Sequence, residues 1–452
     1  MSFPRYPEYK DSGVEWLGQV PAHWGVPRLR FTAQLNPSKN EVRQLPAETA
    51  VTFLPMEAIG EDGSVDLSRE RTLADVAEGY TFVRDGDVAF AKITPCFENG
   101  KGAIMRGLQN GIGFGTTELI VVRPDKQKLS PSFLHYLFTS TVFRQAGESS
   151  MYGAGGQKRV PDSFVRDAVI PLPPTGEQEM IGAFLDHEID KLDALVAEQE
   201  RLIALLKEKR QAVISHAVTK GLNPDAPIKD SGVEWLGAVP AHWSVIPLKF
   251  LASIRTGIAK GKEHGSIPVV DLPYLRVANV QDGHLDLSEI MTMPVPVSDV
   301  PRYLLQAGDV LMNEGGDFDK LGRGAVWNGE IERCVTQNHV FAVRPTLVSS
   351  EWLAAYSGSA AAQFYFMSRS KQSTNLASIS STNIMELPVV MPPESEQATI
   401  LNYLKAARRA FDELGDNARL AVELLRGRRE ALITAAVTGQ IDVRGLAPAE
   451  AA

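Results

Sequence analysis

Two segments of the chain carry apolar residues at alternating steps of three and four. From Glu177 to about His216 they fall at Ile181, Leu185, Leu192, Leu195, Leu202, Leu206 and Val213, with Glu188, Gln199 and Lys209 as polar interruptions. In the second segment the equivalent positions are Ile400, Leu404, Ala407, Phe411, Leu414, Ala418, Ala421, Leu425, Arg428 and Leu432. This spacing predicts amphipathic helices of about 40 residues, hence about 60 Å each. A stripe of ordinary length would lie on its own domain, but one this long outruns a small domain and needs a partner, which the other segment supplies. The first segment begins acidic (Glu177, Glu179, Asp186, Glu188) and ends basic (Lys207, Lys209, Arg210), while the second ends at Arg426, Arg428 and Arg429. Antiparallel pairing therefore opposes unlike charges and suits each helix dipole, although Arg408 and Arg409 make the second helix less polarised. Outside these segments, β-like runs such as Glu118 to Val122 and His339 to Val343 alternate with helical stretches such as Pro131 to Phe143.

The two helical segments belong to a tandem duplication. KDSGVEWLGQVPAHW at Lys10 to Trp24 returns at Lys229 to Trp243 with 14 of 15 residues identical, Gln19 being replaced by Ala238. The same offset relates Pro173-Pro174 and Glu177-Gln178 to Pro392-Pro393 and Glu396-Gln397, and Ala217-Val218-Thr219 to Ala436-Val437-Thr438. Between these matches lie two divergent bodies that share only fragments: Gly86-Asp87-Val88 with Gly308-Asp309-Val310, Gly102-Ala103 with Gly324-Ala325, and Val122-Arg123-Pro124 with Val343-Arg344-Pro345. A constant frame with two variable bodies suits a protein that reads two different targets through one geometry. An antiparallel helix pair would carry one body at each end, as a ruler longer than one turn of B-DNA, about 34 Å.

Composition narrows the class. At 452 residues with 44% hydrophobic content, each copy can bury its own core. No apolar run reaches about 18 residues and the start, MSFPRYPEYK, has no apolar signal region, so a soluble cytoplasmic protein without membrane contact is expected. Two cysteines, Cys96 and Cys334, and scattered histidines give no metal pattern, and His23 and His242 in the repeated Pro-Ala-His-Trp read as turn or packing residues. The net charge of -9 argues against a free-standing DNA binder, since non-specific affinity comes from Lys and Arg on phosphates; nucleic-acid binding would rest on local basic clusters or on partner subunits.

The repeated DSGVEWLG-VPAHW arms, the PLPPTGEQEMIGAFLD helix start at Pro171 to Asp186 and VMPPESEQATILNYL at Val390 to Leu404 resemble the specificity subunits of type I restriction-modification systems. So do GDVAFAKITPCFENGKGAI at Gly86 to Ile104, GDVLMNEGGDFDKLGRGAVW at Gly308 to Trp327, and Thr336-Gln337-Asn338-His339. The resemblance spans essentially the whole chain. It implies α/β (α+β) recognition domains joined by long antiparallel coiled-coil helices in a tandem pseudo-twofold repeat. The boundaries are then 1–175 for the first recognition domain with its repeat arm, 176–220 for a central conserved helical region, 221–392 for the second recognition domain with its arm, 393–440 for a distal helical region, and 441–452 for a tail. It further implies a non-catalytic reader of double-stranded DNA that recognises a bipartite, gapped, asymmetric site. Two modification (methyltransferase) subunits using S-adenosylmethionine and two restriction (ATP-dependent translocase/nuclease) subunits using ATP and Mg would be its partners, leaving this chain no cofactor of its own.

The residues agree with an absence of chemistry. Gly257 to Lys262 lacks Walker A spacing, neither Pro-Pro pair is followed by an aromatic residue, Gly111 to Gly115 lacks the dinucleotide-binding spacing, and no spaced carboxylate pair near a base stands out. Base reading favours Arg, Lys, Asn and Gln, and phosphate contact favours Ser, Thr and backbone amides. The DNA-binding candidates in the first body are Lys92, Thr94, Asn99 and Lys101 after the Gly-Asp turn, and Gln157, Lys158 and Arg159 in the loop from Tyr152. In the second they are Asn313, Lys320 and Arg323 after the equivalent turn, Arg369, Lys371, Gln372 and Thr374 in the polar run to Asn375, and Lys260 and Lys262 in the loop from Arg255. Any one of these also reads as a solvated loop charge. Two other classes fit parts of the sequence: a tandem coiled-coil scaffold that binds proteins without nucleic acid, which the acidic charge favours, and a fused nuclease-methyltransferase, which the missing motifs disfavour.

Overall fold

The computed structural model describes residues 3–153, 156–261, 265–316, 318, 321–372 and 377–446. It falls into two compact units, Met1–Gln199 with Leu420–Ala452, and Glu200–Arg419. The two long helices are Thr175–Lys220 and Glu394–Val437, and each contributes to both units. None of the described helices is long and apolar enough to cross a membrane.

Each unit holds a body of the same mixed α/β design. In the first, strands Ala33–Leu35, Leu119–Pro124, Val88–Ala91 and Gly102–Ile104 lie side by side in that order, all antiparallel. In the second the order Ala252–Thr256, Val340–Pro345, Val310–Asn313, Gly324–Val326 repeats it. A second small sheet accompanies each, and each contains one parallel pair, Thr52 beside Gly113 in one and Tyr274 beside Val335 in the other. The two β-like runs of the sequence are thus the central strands. The stretch Pro131 to Phe143 is two helices, Pro131–Thr139 and Thr141–Ser149, because Ser140 leaves the helical region and its hydroxyl accepts from the Phe143 amide as a cap.

The fragments shared by the divergent bodies are the fasteners of this fold. Gly86 and Gly308 both take φ +94°, so the turn requires glycine, and it delivers Asp87 and Asp309 into the interior. Asp87 accepts from Arg123 Nε at 2.6 Å and Nη2 at 2.8 Å; Asp309 accepts from the same atoms of Arg344, both at 2.6 Å. Gly-Asp-Val and Val-Arg-Pro are therefore the two halves of one buried bidentate ion pair that joins neighbouring strands. In Gly-Ala the glycine passes close over the next strand: a Cβ on Gly102 would come within 2.7 Å of Phe90 Cβ, and one on Gly324 within 1.4 Å of Leu311 O.

The repeated arms close each unit onto a helix start. Trp24 and Trp243 are fully buried, and their indole N–H groups donate to Glu177 at 3.0 Å and Glu396 at 2.9 Å. His23 and His242 meet the same two carboxylates at 2.8 and 2.7 Å. The adjacent glutamines turn back on the proline carbonyls, Gln178 on Pro173 and Gln397 on Pro392. Both histidines thus pack at the helix start, as their motif suggests.

Within each unit the two long helices run antiparallel. In the first, Asp193 pairs with Arg429 at 3.3 Å; in the second, Asp412 pairs with Arg210 at 2.9 Å. These are the same pair under the sequence repeat, with donor and acceptor helices exchanged. The apolar seam differs from the expected stripe. Ile189, not position 188, joins Ile181, Leu185 and Leu192 in the core, and Leu195 and Leu202 are exposed, as are Leu414, Leu420 and Leu424. Two helices can bury only a narrow face against each other, so leucines off that face remain in solvent.

Candidate nucleic-acid interface

In the first body the two predicted loops are brought together. Ile93 bridges Arg159, Arg159 bridges Tyr152, and the Thr94 amide donates to the Lys158 carbonyl at 3.0 Å. The Lys92 amide donates to Glu118 O, and the Val160 amide donates to Lys92 O, each at 2.9 Å. Three segments, starting at Lys92, Glu118 and Tyr152, thereby form one surface.

The second body repeats this surface bond for bond. The Glu314 amide donates to His339 O at 2.9 Å, and the Ile379 amide donates to Glu314 O at 2.8 Å. Gly315–Gly316 pairs with Ala377–Ser378, which pairs with Lys371–Gln372. Lys92, Glu118, Tyr152 and Arg159 of one copy thus correspond to Glu314, His339, Lys371 and Ser378 of the other. The third predicted cluster joins here too, since the Ile258 amide donates to Thr336 O and the Asn338 amide to Ile258 O. Lys260 lies in this loop and is exposed.

The predicted side chains differ in what holds them. Gln157 and Lys158 are exposed, as are Arg369, Lys371 and Gln372, with the Arg369 guanidinium 5.9 Å from the Tyr365 ring centroid. Several others are already engaged by carboxylates. Asn99 donates to Glu61 at 2.8 Å, Thr94 to Glu98 at 2.8 Å, and Arg159 to Glu118 through Nε at 2.9 Å and Nη2 at 2.7 Å. Lys92 stands 3.9 Å from Asp162, and Arg323 stands 3.7 Å from Asp282. The Lys101 main chain is paired in both directions, with Cys96 and Ala91. Asn313 is not on this surface: it is buried and donates to Val280 O at 3.0 Å. Lys262, Lys320 and Thr374 lie outside the described residues.

Sequence reasoning missed the acidic members. Glu118 is held low first by its hydrogen bonds from Arg159, then by the Arg159 and Lys92 charges, against the opposing effect of burial. Glu314 meets His339 Nδ1 at 3.1 Å. A search restricted to hydrogen-bond donors passes over carboxylates. The signal was the alignment of Glu118 with His339 just before the repeated strand.

No protein-family model matches the chain. Over 500 residues it is 25% identical to the EcoEI type I restriction enzyme specificity subunit of Escherichia coli, covering 93% of this chain and 83% of that protein. Over 189 residues it is 42% identical to the EcoAI type I restriction enzyme specificity subunit of Escherichia coli, covering 41% of this chain and 31% of that protein. A solved chain from a study of complex assembly and conformational transition in a type I restriction-modification system shares its fold with a TM-score of 0.70 at 19% identity, over 92% of this chain and 98% of that one.

Proposed function

We propose, given that this chain belongs to the specificity subunits of type I restriction-modification systems, that it is the non-catalytic reader of a bipartite, gapped, asymmetric DNA site. Each body reads one half-site. The observation that carries this reading is the surface built twice from the same backbone hydrogen bonds with different polar side chains at its equivalent positions. Such a surface presents two sequence preferences in one docking geometry, which a protein binding the same target twice would not need. Two methyltransferase subunits and two ATP-dependent restriction subunits would dock on the same chain. The leucines exposed along the long helices, Leu195, Leu202, Leu205, Leu420 and Leu424, are the apolar contacts such docking would use. S-adenosylmethionine, ATP and Mg would be bound by those partners.

The test compares base-resolution adenine methylation in the native host with that in a strain lacking only this gene. Loss of one gapped two-part motif is the expected result. An unchanged pattern, with the modification gene expressed, would refute the reading and leave the protein-binding scaffold.

A further inference from the structure

A chain of net charge -9 that binds DNA must control where its cations act. On the first reading surface the strongest local cation, Arg159, is closed by Glu118. Two of its three nitrogens are bonded to the carboxylate, and the third approaches only Gln157 O at 3.5 Å. Both side chains are about a third exposed or less, so the pair is fixed in place without being sealed from a ligand. On the second surface Glu314 and His339 stand at the positions of Lys92 and Glu118, and there carboxylate and imidazole meet at 3.1 Å, whereas in the first body Glu118 pairs with Arg159, whose place Ser378 takes in the second. The backbone frame alone does not require either pair, because it holds different side chains in the two copies. What both copies keep is a carboxylate beside a donor at the centre of the surface.

A phosphate and a base edge ask different things of an arginine. Phosphate contact needs charge and little geometry, whereas a guanine edge needs two donors at a fixed angle. A guanidinium clamped through Nε and one Nη keeps its plane and offers only its remaining edge, with its charge already balanced. Phosphates gain little from such a group.

We propose that Glu118 is a specificity-determining residue: by clamping Arg159 it withholds that guanidinium from the phosphate backbone and presents it in the single orientation in which a matching base edge is bonded. In the second body Glu314 orients His339 through one contact at Nδ1, with Nε2 beside Asn338. This inference rests on the reading of the chain as a DNA specificity subunit.

The experiment uses the complete chain assembled with its modification subunits, and the variants Glu118→Gln and Glu314→Gln, which keep size but remove charge. For Glu118→Gln, the methylated motif is expected to relax at the first half-site alone. Affinity for duplex lacking the motif should also fall about 3-fold more steeply between 50 and 200 mM salt, the consequence of roughly one added phosphate contact. Arg159→Ala should lose first half-site discrimination without the added salt dependence. Glu314→Gln should relax only the second half-site, and it tests the idea independently if the first variant fails to fold. A folded Glu118→Gln complex with the parental motif and salt dependence would overturn the proposal, as would simultaneous loss of both half-sites. If the parental complex itself methylates no two-part motif, the underlying reading fails first and the proposal falls with it.

Discussion

Replacing Asp87 or Asp309 by alanine tests whether the shared fragments fasten the two bodies. Each carboxylate is 1% exposed and receives two bonds from one arginine. Each also accepts from a backbone amide at 2.8 Å, from Arg84 in the first body and Gln306 in the second. Removing one partner of a buried pair costs about 3–5 kcal/mol, mostly because the other charge is left uncompensated. The two sites differ in that respect. Arg123 keeps Glu41 at 2.6 Å, whereas Arg344 has no second carboxylate among the described residues. Asp87→Ala should therefore lie near the lower end, about 3 kcal/mol or roughly a hundredfold in local opening, and Asp309→Ala nearer the upper end, about 4–5 kcal/mol or a thousandfold and more. Hydrogen exchange read by mass spectrometry suits the assay, because it follows the strands Val88–Ala91 and Leu119–Pro124 separately from Val310–Asn313 and Val340–Pro345. Less than threefold loss of protection in the mutated body, or a larger effect from Asp87→Ala than from Asp309→Ala, would refute the reasoning.

Glu177→Gln should loosen the first arm more than Glu396→Gln loosens the second, since Glu177 also accepts from the Tyr6 hydroxyl at 2.5 Å; a cost of about 1–3 kcal/mol is expected, and urea-induced exposure of Trp24 fluorescence at the same midpoint as wild type would contradict it. His135 supplies a pH signature. Burial first, then the Arg429 and Arg106 charges, lower its imidazole from 6.5 to about 4, so the unfolded chain binds this proton before the folded one does. Its contribution to stability is complete above pH 6.5 and is lost as pH falls from there through about 4, so His135→Gln should flatten the wild-type decline of the urea midpoint in that window, and parallel profiles would exclude the assignment.

Most of the frame was legible in the chain because it is written twice. Exact repetition marked the arm, the Pro-Pro pairs and the Glu-Gln steps, and each turned out to be one side of a contact: Trp24 on Glu177, Trp243 on Glu396, Gln178 on Pro173. The apolar period located both long helices, but it could not say which leucines fall off the buried face, so Leu195 and Leu202 were expected in a seam and stand in solvent. Composition chose the candidate site residues, and composition is blind to direction. Asn313 ends the Gly-Asp strand one residue before Glu314, the position equivalent to Lys92, and its side-chain amide turns inward to donate to Val280 O. Arg159 was chosen for its charge, which Glu118 neutralises through a contact 41 residues away that no local pattern reveals.

The fasteners and the proposed reading surface are held by different kinds of bonds. The buried Asp–Arg pair ties the Gly-Asp strand to the central strand through their side chains, whereas the reading surface is held by main-chain bonds from Lys92 or Glu314 to the carbonyl that precedes the same central strand. Main-chain bonds do not depend on side-chain identity, so the positions of Lys92, Glu118, Tyr152 and Arg159 can be rewritten while the fasteners behind them stay fixed. The second body is such a rewriting, with Glu314, His339, Lys371 and Ser378 at the same places. The rewriting kept a carboxylate beside a donor although nothing in the frame requires one. Under the proposed DNA-reading role, these carboxylates would keep the neighbouring cations from binding any phosphate within reach, which would reconcile an acidic chain with that role.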